Sequence, residues 1–135
     1  MGTIRVVCGV IFNEGRILLC RRKPEKSLGG YWEFPGGKIE VGETEEESLY
    51  RELQEELGIR VEIERYFMSV VHDYDAFTIE FIAYICRSGQ SVCVLTDHDE
   101  YEWVDKSELL NWKLAPADIP IANELCFMEQ KMREG

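Results

Sequence analysis

Apolar residues in this chain gather into short runs separated by turn formers, and most of those runs predict strands. The segment "TIRVVCGVIF" (residues 3–12) is rich in β-branched residues and predicts a largely buried strand. "NEG" follows as a turn, and "RILLCRR" (16–22) as a second strand emerging into basic residues. Residues 23–37 hold two prolines and four glycines, which predicts a loop with fixed bends. "VEIERYFMSVVHDY" (61–74) and "FTIEFIAYIC" (77–86) predict long strands joined near "DYDA" as a hairpin. "SVCVL" (91–95) and "YEWV" (101–104) predict shorter strands, and "DKSELLNW" a short helix capped at Asp105. The spacing of Ile121, Leu125, Met128 and Met132 predicts a last helix over 118–132. Strands outnumber helices, so the expected product is an α+β fold with helices packed on a mixed sheet.

The clearest helix lies in "GGKIEVGETEEESLYRELQEELGI" (36–59). Thr44 followed three residues later by Glu47 is a capping box, and Gly58 is a suitable residue just past the end, which places the helix between them. Leu49, Leu53 and Leu57 form its buried stripe. At about 100° per residue, Glu52, Glu55 and Glu56 fall on one arc beside that stripe. Three carboxylates at the edge of a core are costly unless their charge is compensated. Magnesium is one compensation, since it prefers carboxylate oxygens and water. The alternative is an ordinary solvated helix in which Arg51 pairs with Glu47 and Glu55.

Composition narrows the choice of partner. At 45% hydrophobic and 30% charged residues the chain is globular in character, and its 135 residues are expected to form one domain (1–135) with no repeat or linker. The net charge of −11 argues against nucleic-acid polymers and anionic membranes as partners. A polyanionic small molecule would need metal ions or a local basic cluster to bind. Cys8, Cys20, Cys86, Cys93 and Cys126 lie in apolar runs without a CxxC pair, and read as small buried hydrophobes in a reducing compartment. "MGTIRVVCGV" lacks the layout of a signal peptide, and no apolar run approaches the roughly 20 residues needed to span a bilayer. The expectation is a soluble, cytoplasmic protein, either monomer or homodimer.

The acidic segment resembles the Nudix box: Gly, five residues, Glu, seven residues, then Arg-Glu-apolar-x-Glu-Glu-x-Gly-apolar. Gly37, Glu43, Arg51, Glu52, Leu53, Glu55, Glu56, Gly58 and Ile59 occupy all its fixed positions. Chance agreement is on the order of one in a million for a chain of this length. The resemblance implies the Nudix fold, a mixed sheet sandwiched between helices (α/β/α), and hydrolysis of nucleoside diphosphate derivatives. It implies Mg²⁺, with Mn²⁺ as a substitute, held by Glu52, Glu55, Glu56 and the Gly36 carbonyl, with Arg51 and Glu43 orienting the carboxylates.

Beyond the box, "LCRR", "YWEFPGGK" and "LAPADIP" resemble the nucleoside triphosphate pyrophosphohydrolases of the MutT type and their CTP-hydrolysing relatives. That likeness implies Arg22 and Lys38 near the phosphates and Phe34 near the base. Arg21, Arg22 and Lys23 could equally be a solvated strand end. Asp118 stands where oxidised-guanine enzymes have Asn, as in cytidine-nucleotide hydrolases, and its alternative role is the cap of the last helix. Asp97 stands where the family has a Glu that binds metal or activates water, and Asp99, Glu100 and Glu55 are alternates for the base. His72 is expected on a strand and His98 in a loop. Trp32, Trp103 and Trp112 are expected in the core or a lid. The function expected is hydrolysis of a (deoxy)nucleoside triphosphate, (d)CTP-like or oxidised, to the monophosphate and pyrophosphate. Other readings are a Nudix hydrolase of nucleotide sugars, dinucleoside polyphosphates or ADP-ribose, and a non-catalytic nucleotide-sensing module.

Overall fold

The computed structural model describes residues 2–134, with side chains as far as Met128. Its elements are β1 (Thr3–Asn13), β2 (Arg16–Arg22), β3 (Trp32–Glu33), β4 (Gly36–Lys38), α1 (Glu45–Leu57), β5 (Glu62–Asp73), β6 (Thr78–Arg87), β7 (His98–Asp105) and α2 (Ile119–Glu134). Two 3₁₀ helices, Lys106–Asn111 and Pro116–Asp118, lie between β7 and α2. The strands form one mixed sheet in the order β3-β2-β1-β6-β5, with β4 added to β1 and β7 to β2. β1 runs parallel to β6 from Thr3↔Thr78 to Phe12↔Arg87, and the other pairings are antiparallel.

Alternation along the central strands builds two cores, one on each face of the sheet. Val7, Ile11, Leu18, Ile82 and Tyr84 pack against Leu49, Leu53 and Leu57 of α1. Cys8, Val10, Ile17, Leu19 and Ile85 pack on the opposite face against Leu109, Ile121 and Leu125. Each leucine of the α1 stripe is fully buried, a contribution of about 1.5–3 kcal/mol apiece. Helices therefore cover both faces, the sandwich that the sequence implied.

Local signals of α1 appear as read. The Thr44 side chain accepts from Glu47 N while the Glu47 carboxylate accepts from Thr44 N, and Gly58 ends the helix at a φ of 59°. The β5–β6 hairpin closes through Tyr74 and Phe77, which exchange backbone hydrogen bonds.

Four expectations need correction. "SVCVL" is no strand: Val94 N bonds the Leu57 carbonyl and Thr96 N and Oγ1 bond the Glu56 carbonyl, so this segment caps the end of α1 instead of pairing with a strand. The loop 23–37 contains β3 and the first two residues of β4, because Trp32 and the glycines find partners on β2 and β1. The helix after β7 is 3₁₀, and Asp105 makes no side-chain capping bond. His98 is not in a loop but opens β7, where it is buried. Met132 lies outside the described side chains. Among the described residues no helix is long and apolar enough to cross a membrane.

Candidate active site

Glycines at β4 set the site, because they let backbone approach where a side chain would collide. A Cβ on Gly36 would meet the Val7 carbonyl of β1, and one on Gly37 would meet the Glu52 carboxylate. The strand can thus lie flush between the sheet and α1, with its backbone against an acidic side chain.

From α1, Arg51 reaches across to organise the acids. Its Nε donates to Glu43 Oε2 (2.6 Å) and its Nη2 to Glu43 Oε1 (2.9 Å), while Nη1 donates to Glu52 Oε1 (2.8 Å) and Glu55 Oε2 (3.3 Å). Nη2 also donates to the Lys38 carbonyl. Hydrogen bonds from Arg51 and then Ser48 lower the Glu43 carboxyl to about 2, and its partners hold the Arg51 guanidinium well above its ordinary value. Glu47 is taken by the capping box, so the pairing of Arg51 with Glu47 does not form, while that with Glu55 does.

Glu56 is the buried acid of the group, at 8% exposure. Burial first, then the charges of Glu52, Asp97 and Glu33, push its carboxyl up to about 9. Like charges around a desolvated carboxylate are relieved by a cation. Among the described residues, however, no three acidic, histidine or cysteine side chains converge in ligand geometry. Arg51 draws Glu52 and Glu55 toward itself, Glu55 stays 61% exposed, and Asp97 sits beside Lys26 at 3.8 Å. The donors present are nonetheless hard oxygens suited to a small divalent cation, and the bare Gly37 backbone lets the Glu52 carboxylate lie directly against β4.

Two cavities of about 380 and 360 Å³ adjoin, sharing Arg22, Ser27, Glu33, Phe77, Ile79 and Phe81 as lining. Asp118 and Tyr74 line one end, and Phe34, Gly36, Gly37 and Lys38 the other. All four residues expected to meet substrate, Arg22, Phe34, Lys38 and Asp118, therefore border one cleft. Asp118 is 2% exposed and its Oδ1 accepts from Phe34 N at 3.1 Å, so it joins the cleft rather than capping α2. Burial, then the Glu33 charge, holds its carboxyl well above the usual range, only partly offset by that N–H.

The basic strand end divides. Arg21 pairs with Asp99 (2.8 Å) and Glu100 (3.2 Å), while Arg22 faces the cleft between Glu33 and Ser27. The Arg21 hydrogen bond lowers the Asp99 carboxyl. Trp32 stacks edge-on against Trp112 in the core, and Trp103 donates to the Ser91 carbonyl. His72 is on β5, against Tyr74.

Sequence reasoning missed Glu33, which lines both cavities and bonds Arg22 and His98. Its place between two buried aromatics, Trp32 and Phe34, was the available signal, since alternation turns the intervening side chain to the other face. The aromatic hairpin pair Tyr74 and Phe77, stacked at 5.2 Å, was also missed; nothing local tied it to the cleft.

Comparison with known proteins gives this arrangement relatives. The NUDIX domain family matches residues 7–124. The chain is 36% identical to the CTP pyrophosphohydrolase of Escherichia coli over 90% of both chains. It is 32% identical to the 8-oxo-dGTP diphosphatase of Haemophilus influenzae, again over 90% of both. Among solved structures it resembles the E. coli ORF135 protein, with a TM-score of 0.81 at 34% identity, covering 97% of this chain and 92% of that one.

Proposed function

The chain belongs to the Nudix hydrolase family, and we propose from that premise that it converts a (deoxy)nucleoside triphosphate to the monophosphate and pyrophosphate. The carrying observation is the cleft that runs from Asp118 and Tyr74 past Arg22 and Glu33 to Phe34, Gly36, Gly37 and Lys38, ending against Glu52 of α1. It is laid out as a nucleotide is, with a mostly apolar slot at one end and cations and bare backbone leading to acids at the other.

In this reading the base lies against Asp118 with Phe34 nearby, and Arg22 and Lys38 face the phosphates. Water attacks the β-phosphorus, its proton passes to a carboxylate, and the bond from that phosphorus to the α–β bridging oxygen breaks. Asp97 is the nominated base, with Glu55 as alternate; Asp99 and Glu100 are committed to Arg21. Glu52, Glu55, Glu56, Asp97 and the Gly36 carbonyl would hold Mg²⁺, which supplies charge neutralisation for the phosphates and a more acidic water. Arg51 and Glu43 keep the α1 carboxylates aimed. A (d)CTP-like or oxidised base fits the mostly apolar slot, where a protonated Asp118 both donates and accepts.

The test is a panel of canonical, methylated and oxidised triphosphates with Mg²⁺, read by pyrophosphate release, for the wild type and Glu55→Gln. Pyrophosphate from one or more triphosphates, lost in Glu55→Gln, is expected. Glu55→Gln activity equal to the wild type would remove the metal assignment, and release of orthophosphate alone would remove the reaction.

A further inference from the structure

Against the cleft lies a buried histidine that the proposed reaction does not use. His98 is 3% exposed, its Nε2 lies 2.8 Å from Glu33 Oε2, and its Nδ1 has no partner among the described residues. A bare ring nitrogen in the core is a cost that an apolar side chain would avoid. Packing alone therefore gives no reason for an imidazole here. What the ring does contribute is a donor: an Nε2–H that the Glu33 carboxylate accepts. The same carboxylate accepts from Arg22 Nη1, at 3.3 and 3.4 Å to its two oxygens.

Backbone geometry produces this chain of contacts. The β2–β7 register steps from Arg21↔Glu100 directly to Arg22↔His98, so Asp99 is the extra residue of a β-bulge. The bulge leaves Asp99 and Glu100 on Arg21 and turns His98 inward toward Glu33. Ser27 holds Arg22 from its other side, its carbonyl accepting from Nε at 2.7 Å.

We propose that His98 is a positioning residue: it clamps the Glu33 carboxylate, and Glu33 in turn fixes the Arg22 guanidinium at the cleft wall for the phosphates of the nucleotide. The choice of ligand rests on the triphosphate reading above. His98 touches no substrate; it acts through two side chains.

Calorimetry of the full chain with CTP, in EDTA so that the probe stays intact, measures the clamp. His98→Phe removes the donor, while His98→Gln sets an amide nitrogen near the place of Nε2. His98→Phe is expected to raise the Kd about tenfold, the effect of one lost charge-assisted hydrogen bond. His98→Gln should stay within about twofold of wild type, and His98→Phe should add nothing to Arg22→Ala, since both act through one contact. A Gln variant as weak as Phe, or an additive double mutant, overturns the clamp. Should His98→Phe fail to fold, Glu33→Gln is read in the same cycle, with the same rise expected and additivity again decisive. A wild type that binds CTP yet hydrolyses no triphosphate with Mg²⁺ removes the enzymatic reading and leaves the clamp standing. Hydrolysis by the wild type with unchanged CTP affinity in His98→Phe removes the clamp alone, and a wild type without CTP affinity in EDTA likewise overturns the clamp, the reaction being judged by the hydrolysis panel with Mg²⁺.

Discussion

Glu56 near the end of α1 and Asp118 just before α2 are the two buried carboxylates among the described residues, and they are buried in opposite company. Both carboxyls are held above their ordinary range, with burial as the leading cause. Around Glu56 the next influences are three further acids, Glu52, Asp97 and Glu33. Around Asp118 they are one acid, Glu33, set against a backbone N–H and the Arg22 cation. The first environment calls for a cation; the second is content with a neutral acid that hydrogen-bonds. Burial alone assigns neither role, and the neighbours decide.

The largest break in this contrast is expected from Glu56→Gln. If the carboxylate exists to hold a cation, kcat/KM for the preferred triphosphate falls on the order of 10²–10³-fold, the loss of several kcal/mol of metal-assisted stabilisation. Thermal melting in EDTA near neutral pH should show the variant at least as stable as the wild type, because an amide is neutral in both states and has no proton to release on unfolding. Added Mg²⁺ should raise the wild-type Tm and leave that of Glu56→Gln unmoved. A variant with wild-type kcat/KM would put Glu56 in the same class as Asp118.

Arg51→Lys is next. A lysine cannot bond both Glu43 oxygens and Glu52 at once, so the α1 acids lose their aim and activity drops about 10–100-fold, the range seen when groups behind metal ligands change. Titration of Mg²⁺ dependence would show a weaker metal requirement constant rather than a changed base preference. Asp118→Asn should do the reverse: about a tenfold change in the ratio of kcat/KM for CTP against oxidised dGTP, with the Mg²⁺ dependence intact. An equal change for every base would move Asp118 out of recognition.

The smallest effect is in pH. Each buried acid keeps its proton in the fold at pH values where the unfolded chain, near pKa 4, has released it. Unfolding therefore releases protons, and stability in EDTA falls as pH rises from about 4 toward 9, the value to which Glu56 is pushed. Asp118→Asn and Glu56→Gln should each flatten this slope in melting curves. Glu43, lowered to about 2, works oppositely: its stabilisation is present above the unfolded value and disappears as pH falls toward 2.

How far the molecule could be read in advance follows from where its information sits. The capping box, the leucine stripe and the β5–β6 hairpin depend on residues a few positions apart, and each was legible. The segment "SVCVL" was misread because its apolar pattern suits a strand, whereas its bonds go to carbonyls of α1 some 40 positions earlier. His98 was misread for a related reason: neighbouring acids in "DHDE" suggest a solvated loop, and only the bulge at Asp99 turns the ring inward. Arg21 and Arg22, adjacent and alike in sequence, part company at that same bulge.

By itself the sequence determined the acidic helix, its ends, its buried face and the place of its glutamates, because a helix repeats every 3.6 residues and needs no distant partner to state its pattern. Tertiary structure decided which acids are buried and beside what: Glu33 between Arg22 and His98, Asp118 on the Phe34 amide, and Glu56 among like charges. Apart from the Glu52–Glu56 pair within α1, those relations join residues 11 to 84 positions apart, and strand register together with the close approach that Gly36 and Gly37 permit brings them together.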